Sequence, residues 1–271
     1  MIGEQYLNAI VAGAPAFILI AARALAMIET APLLSSDAVP QVAKIALAAF
    51  AAFCGLPGAI AAGWNLAPLG LQFVYLVIGE ALVGIIMGFY LTLIFSAFSS
   101  AGQFFSLQMG FGASETYDPL SQVENPLMGQ YLNLVAMLVF LSTEGFQKLF
   151  LGGFLRSIQS ISAWSLVTGR ETVAAMLLAG LSGMFLDAMV ISMPILGTLF
   201  LCSLATGLIS KAAPQINILT EGFPVSISMA FVLILLTMPF MVEAFSRVVD
   251  TGFRNIESLY IAIGRQLGGG S

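Results

Sequence analysis

The chain has 271 residues, of which 59% are hydrophobic and 8% are charged. An ordinary soluble domain carries roughly 25% charged residues, so this composition excludes a soluble globular domain and indicates a polytopic α-helical membrane protein. Fourteen acidic and nine basic residues are scattered singly and give a net charge of −5, so nucleic-acid binding is not expected. The sequence has no histidine, which argues against a zinc or haem site and an imidazole proton relay. We therefore expect no metal and no cofactor.

The first part of the chain predicts two helices joined by a short loop, followed by a third, longer helix. Apolar segments at residues 7–28 and 42–62 are each long enough to span a bilayer. The prolines and polar residues at 32–40 predict a loop at the membrane interface. The apolar segment at 69–98 is longer than a bilayer needs, which predicts a tilted or protruding helix. Residues 99–125 are rich in glycine and polar residues, and we expect a loop there.

The second part of the chain predicts further long helices. A fourth helix is expected at residues 126–150, with its proline in the first turn. The apolar run at 173–210 is too long for one span, so we expect either a kinked helix or a hairpin bent near Pro194. A last apolar helix is expected at 223–245. It is followed by an amphipathic tail at 247–267.

Charged residues within these apolar segments are candidates for a functional role. They are Arg23, Glu80, Glu144, Lys148 and Asp187. An ionised group at the centre of a membrane helix costs roughly 2.5–3.5 kcal/mol, so we expect these residues to pair, to face protein or water, or to rise out of the bilayer. Glu144 and Lys148 are expected to pair at a spacing of four residues. For Glu80 and Asp187, a hydrogen-bonded packing role and a role in ion or proton transfer are both open.

Three motifs resemble a known family in their order and spacing. They are the segment from Gly102 to Gly112 that continues to Tyr117-Asp118-Pro119, then Ala213-Pro214-Gln215, and then Glu221-Gly222-Phe223-Pro224. They resemble the FliR family of flagellar type III export-gate proteins, whose counterparts in virulence systems are called SctT. The resemblance covers nearly the whole chain. One departure is Phe146, because relatives often have a histidine there, and no role of that histidine is carried over.

The resemblance implies an all-α membrane protein with long kinked helices and helical hairpins. Residues 1–170 correspond to a FliP-like helical part that includes a plug loop at 99–125. Residues 171–246 correspond to a FliQ-like helical hairpin, and the tail at 247–267 follows it. The last residues, 268–271, look like a flexible linker.

The function that the resemblance implies is structural and not enzymatic. FliR proteins are pore-forming subunits of the export gate in the bacterial inner membrane, at the flagellar basal body, where they help conduct unfolded export substrates. The implied partners are FliP-like and FliQ-like subunits in a hetero-oligomeric pore and a FlhB-like switch protein.

The glycine-rich segment is the candidate gate. Its residues are Phe104, Phe105, Gln108, Met109, Gly110, Phe111 and Gly112. Bulky apolar side chains between glycines suit a constriction that excludes water and ions, and methionine adapts to varied surfaces. The resemblance points the same way, since this loop corresponds to the plug inside the FliR pore. Ordinary packing at a helix hairpin is the alternative.

The later motifs predict the turn between the last two helices. The turn residues are Pro214, Gln215, Gly222, Phe223 and Pro224. A partner contact is the alternative.

Two other functions are weighed against the export gate. In an ion-coupled secondary transporter, Glu80 and Asp187 would coordinate the ion at broken helices. An intramembrane protease needs two facing aspartates, and only Asp187 lies well inside an apolar run. No GxxxxGK[ST] motif is present, so the chain is not expected to be a nucleotide-driven motor.

Overall fold

Long helices make up most of the protein. The computed structural model describes residues 2–62, 64, 70–110, 127–163, 169–213 and 218–268. Within these ranges the helices are α1 (Ile2–Thr30), α2 (Gln41–Ala61), α3 (Leu71–Met109), α4 (Leu127–Ser142), α5 (Gly145–Ser160), α6 (Arg170–Ala212) and α7 (Ile218–Gly268). The same ranges contain no strand, which confirms the all-α prediction. Five of these helices are long and apolar enough to cross a membrane, or six spans result if α4 and α5 form one broken span.

Helix α3 extends further than predicted. Residues 99–109, expected at the start of a loop, continue the helix to Met109. Gly102 explains the difference, because a Cβ there would lie 2.7 Å from the backbone of Gly129. The glycine therefore allows close packing of α3 on α4 and does not act as a hinge. Residues 111–125 of the expected loop lie outside the described residues.

The helix predicted at 126–150 is broken. Helix α4 ends at Ser142, and Glu144 has a φ of 58°, in the left-handed region. Helix α5 then begins at Gly145 and contains an eight-residue π-helix, Lys148–Leu155. The predicted Glu144–Lys148 pair is wrong: Glu144 stands in the left-handed region ahead of α5, and the Lys148 ammonium pairs with Asp250 at 2.7 Å.

Each of the last two helices runs without interruption through one or two internal prolines. Helix α6 runs for 43 residues through Pro194, so of the two alternatives expected there, a kinked helix or a hairpin, the hairpin is wrong. Helix α7 runs for 51 residues through Pro224 and Pro239, and the predicted tail at 247–267 is its continuation. A proline removes one backbone donor, whereas ending a helix in an apolar environment would leave several backbone groups unpaired.

The described residues cluster into two compact units. The first comprises those within 1–93, 144–180 and 250–271, and the second comprises those within 94–143 and 181–249. The FliP-like and FliQ-like division expected at residue 170 stays a prediction.

The first unit is built on close packing of α1 against α3. A Cβ at Gly84 would lie 3.0 Å from the Met27 amide nitrogen and closer still to the Arg23 carbonyl oxygen. A Cβ at Gly88 would lie 2.8 Å from the carbonyl oxygen of Met27. Both glycines therefore let the two backbones approach, as small residues do in membrane helix pairs.

Candidate gate and buried charge network

The end of α3 carries the described part of the candidate gate, within the second unit. The side chains of Phe105 and Met109 are fully buried, and Phe104 is partly buried. Gln108 is exposed, and its amide lies 3.5 Å from the Ser203 hydroxyl. The segment therefore presents two faces: Phe105 and Met109 pack inside this chain, whereas Gln108 does not.

Gly110 ends the helix. Its φ is 91°, a left-handed conformation that glycine adopts without steric cost, and its N–H donates to the Leu107 carbonyl at 3.2 Å. The glycine at this position therefore sets the direction in which the chain leaves α3. Phe111 and Gly112, the remaining candidate gate residues, lie outside the described residues.

An aromatic cluster stabilises the second unit on the N-terminal side of the candidate gate along α3. The rings of Phe98 and Phe245 have centroids 4.3 Å apart, and those of Phe95 and Phe140 are 5.4 Å apart in an edge-to-face arrangement. Such pairs contribute about 0.5–1.5 kcal/mol beyond the area that they bury. The cluster joins α3, α4 and α7. Sequence reasoning missed it, because phenylalanine is abundant throughout the chain.

A buried ion pair lies in the first unit. The guanidinium of Arg23, fully buried on α1, donates from Nε to Glu80 Oε2 at 2.7 Å, and Nη2 donates to the same oxygen. Its Nη1 donates to the Ser157 hydroxyl at 2.9 Å, and Nη2 also donates to the Ile161 carbonyl at 2.7 Å. The ring of Trp64 lies 5.6 Å from the guanidinium carbon. Four segments of the chain thus meet at one charge, since Ser157 and Ile161 both lie at the end of α5.

The geometry of Glu80 favours a packing role over ion transfer. One carboxylate oxygen accepts from Arg23, and the other accepts from the Ala163 N–H at 3.1 Å. Both oxygens are thereby engaged by the protein itself. A buried pair needs such additional hydrogen bonds to offset the desolvation of two charges.

Three further ion pairs lie in the first unit. Lys44 is buried and donates to Glu29 at 3.1 Å. Lys148 and Arg156, eight residues apart on α5, pair with Asp250 and Glu257, seven residues apart on α7. These matching spacings of basic residues on α5 and acidic residues on α7 could have predicted the two ion pairs from the sequence.

The other candidate residues are not brought to this network. Asp187 is partly buried on α6 and has no ion-pair partner among the described residues. Gly222, Phe223 and Pro224 lie inside α7, so their predicted place in the turn is wrong, since the helix already begins at Ile218. Pro214 and Gln215 lie outside the described residues. Within the described ranges, no group of three or more carboxylate or thiol side chains is placed to hold a metal ion.

Long apolar helices, with a buried ion pair between α1 and α3, define a polytopic helical membrane protein. The family described as bacterial export proteins, family 1, matches residues 14–252, and the chain belongs to this family. The matches below confirm the resemblance to FliR. The family is one of structural components of the flagellar export apparatus, and the chain is an inner-membrane protein of that class.

Several flagellar biosynthetic proteins named FliR are similar to the chain. The protein of Bacillus subtilis (strain 168) is 31% identical over 267 residues, which cover 96% of this chain and 97% of that protein. The protein of Escherichia coli (strain K12) is 31% identical over 233 residues, covering 84% and 87%. That of Borreliella burgdorferi is 30% identical over 198 residues, covering 73% and 74%.

Proposed function

We propose that the chain is a pore-forming subunit of the flagellar type III export gate and helps to conduct unfolded export substrates across the inner membrane at the basal body. Its partners would be FliP-like and FliQ-like subunits in the pore wall and a FlhB-like switch protein. Family membership supports the export role. The observation that carries the assembly role is the apolar surface of α6.

The exposed apolar surface of α6 is longer than a bilayer is thick. Large exposed apolar side chains run from Leu178 to Ile209, and most residues between them are not buried. At 1.5 Å per residue this surface is about 47 Å long, against a hydrocarbon core of about 30 Å. A helix would need a tilt of about 50° to hide it in lipid, beyond the usual range of 0–40°. Other protein subunits are the natural cover for the remainder.

The proposed gate is the segment that follows the buried end of α3. Phe105 and Met109 pack inside the chain and hold the end of the helix in place. The gating side chains would then be Phe104, which is only partly buried, and Phe111, which comes after the left-handed turn at Gly110. Apolar rings close a pore by excluding water.

The test of the gate is ion conductance of the assembled complex. The chain is purified together with its FliP-like and FliQ-like partners and reconstituted in a planar bilayer. We expect the double variant Phe104→Ala with Phe111→Ala to assemble in the normal ratio and to conduct small ions severalfold more than the parent. The matched control is Phe50→Ala with Phe53→Ala, which removes two exposed rings from α2, outside the α6 surface, and should leave conductance unchanged.

Two results would overturn the proposal. Normal assembly with unchanged conductance in the Phe104 and Phe111 variant would rule out this segment as the gate. Failure of the chain to co-purify with two other small membrane proteins in a fixed ratio would rule out the subunit role itself.

A further inference from the structure

A cleft in the first unit lies between α5 and the C-terminal part of α7. Its volume is about 440 Å³. It is lined by Glu144, Gln147, Lys148, Leu151, Gly152, Asp250, Phe253, Arg254, Ile256 and Glu257. The lining therefore combines positive, negative and apolar side chains. None of these residues belongs to the candidate gate, and the cleft has no part in the proposed function.

Two of the charges in the cleft are unpaired. Lys148 is bound by Asp250, and Glu257 is bound by Arg156. Glu144 and Arg254, in contrast, have no ion-pair partner among the described residues, and Arg254 donates only to the Thr251 hydroxyl, at 3.0 Å. The cleft thus presents one carboxylate and one guanidinium that form no ion pair within the described part of the chain.

The backbone of α5 has an unusual conformation where it lines the cleft. Glu144 stands in the left-handed conformation before α5, and the wall formed by α5 is a π-helix. π-Helices are rare in proteins overall, but those that occur are often at functional sites. Gly152 lies in this wall, and a Cβ there would meet no atom within 4 Å. The Tyr260 hydroxyl donates to the Gly153 carbonyl at 2.9 Å, which ties the π-helix to α7.

The position of the cleft along α7 suits a lipid headgroup. The exposed apolar side chains of α7 are concentrated between Val225 and Val242, a length of about 26 Å that fits a single bilayer core. Asp250 follows about 12 Å beyond Val242 along the axis. In a bilayer centred on this apolar surface of α7, Asp250 would lie at the level of the headgroups, within reach of long basic side chains.

The geometry points to a site for a zwitterionic phospholipid headgroup that carries a phosphate and a primary ammonium. Arg254, with Lys148 in the same cleft, would bind the phosphate, since arginine suits phosphate oxygens. Glu144 would accept hydrogen bonds from the ammonium. Leu151 and Phe253 would contact the first carbons of the acyl chains. The site is for the intact lipid, with phosphatidylethanolamine as its type.

The experiment measures which lipids stay with the purified full-length chain. The chain is equilibrated with vesicles of equal parts phosphatidylethanolamine, phosphatidylcholine and phosphatidylglycerol, then purified in detergent, and the retained lipid is quantified by mass spectrometry. We expect severalfold enrichment of phosphatidylethanolamine over both others. Arg254→Gln should abolish the enrichment. Glu144→Gln should abolish only the preference over phosphatidylcholine, whose quaternary nitrogen has no hydrogen-bond donor.

Two further variants make the result interpretable. Gly152→Leu fills the cleft without changing any charge and should also abolish enrichment. The matched control is Glu243→Gln with Arg247→Gln, an exposed pair on the same helix outside the cleft, which should retain full enrichment. The proposal is overturned if Arg254→Gln and the control behave alike, if phosphatidylglycerol is the enriched lipid, or if no lipid is retained.

Discussion

The Arg23 guanidinium is fully buried in an apolar helix, and its hydrogen bonds reach Glu80, Ser157 and Ile161. An isolated charge at this depth would oppose membrane insertion of α1. Pairing removes most of that penalty, but only while both partners are present. Loss of one partner leaves an uncompensated buried charge, which costs about 3–5 kcal/mol in buried pairs.

We predict that Arg23→Met and Glu80→Met each lower the free energy of unfolding by about 3–5 kcal/mol, and that the double variant recovers part of the loss. Recovery is incomplete because the Ser157 hydroxyl and the Ile161 carbonyl lose their donor. Unfolding of the purified chain by denaturant in mixed micelles measures the three values.

The control for this cycle is the exposed pair of Glu243 and Arg247, four residues apart on α7. Its removal by Glu243→Met with Arg247→Met should change stability by less than about 1 kcal/mol. Additive losses at Arg23 and Glu80 would contradict the coupling that the geometry indicates.

The sequence identifies which charges are buried more readily than it identifies their partners. Arg23 and Glu80 stand out because they interrupt apolar segments, but they are 57 residues apart. The local pairing expected for Glu144 and Lys148 assumed a continuous helix. The left-handed backbone at Glu144 removes that assumption, and Asp250 becomes the partner of Lys148.

Helix packing in the first unit depends on two glycines of α3. At Gly84 a Cβ would meet backbone atoms of Arg23 and Met27, which cannot move without shifting α1. Alanine otherwise favours a helix over glycine by about 1 kcal/mol. Replacing a glycine by alanine should therefore lower the free energy of unfolding where the helices need the space, and raise it where they do not.

We predict that Gly84→Ala lowers the free energy of unfolding by about 1–3 kcal/mol, because overpacking forces α1 and α3 apart. The matched control is Gly183→Ala on α6, where a Cβ meets no atom within 4 Å and stability should be unchanged or raised. Both variants are measured in the same micelle unfolding assay. Equal effects of the two changes would contradict the close packing.

The helices themselves were predictable, but their ends were not. Apolar length predicted the existence of α1, α2 and α3 from the sequence. The glycine and serine residues at 99–109 resembled a loop in composition, whereas Gly102 serves close packing with Gly129. Such use of a glycine depends on the neighbouring helix, which no local pattern encodes. The same holds for the cleft, because its walls come from α5 and α7.

On the scale of the whole molecule, two helices differ in how lipid can cover them. The exposed apolar surface of α7 is concentrated over about 26 Å, from Val225 to Val242, and matches one bilayer core. The surface of α6, from Leu178 to Ile209, is nearly twice that length. A chain surrounded by lipid alone would therefore leave part of α6 in contact with water or headgroups, at a cost of roughly 25 cal/mol per Å² of apolar surface.

Cysteine labelling tests this difference directly. Cys54 and Cys202 are first replaced by alanine, and single cysteines are then introduced at Leu178, at Ile209 and, as the lipid-covered control, at Leu235 in the middle of the α7 surface. With the chain alone in liposomes, we expect a water-soluble maleimide to label at least one end of the α6 surface and not position 235. In the complex with FliP-like and FliQ-like subunits, that end should be protected. Protection of both ends in the isolated chain would mean that the bilayer covers α6 unaided and that partner subunits are not needed to explain its surface.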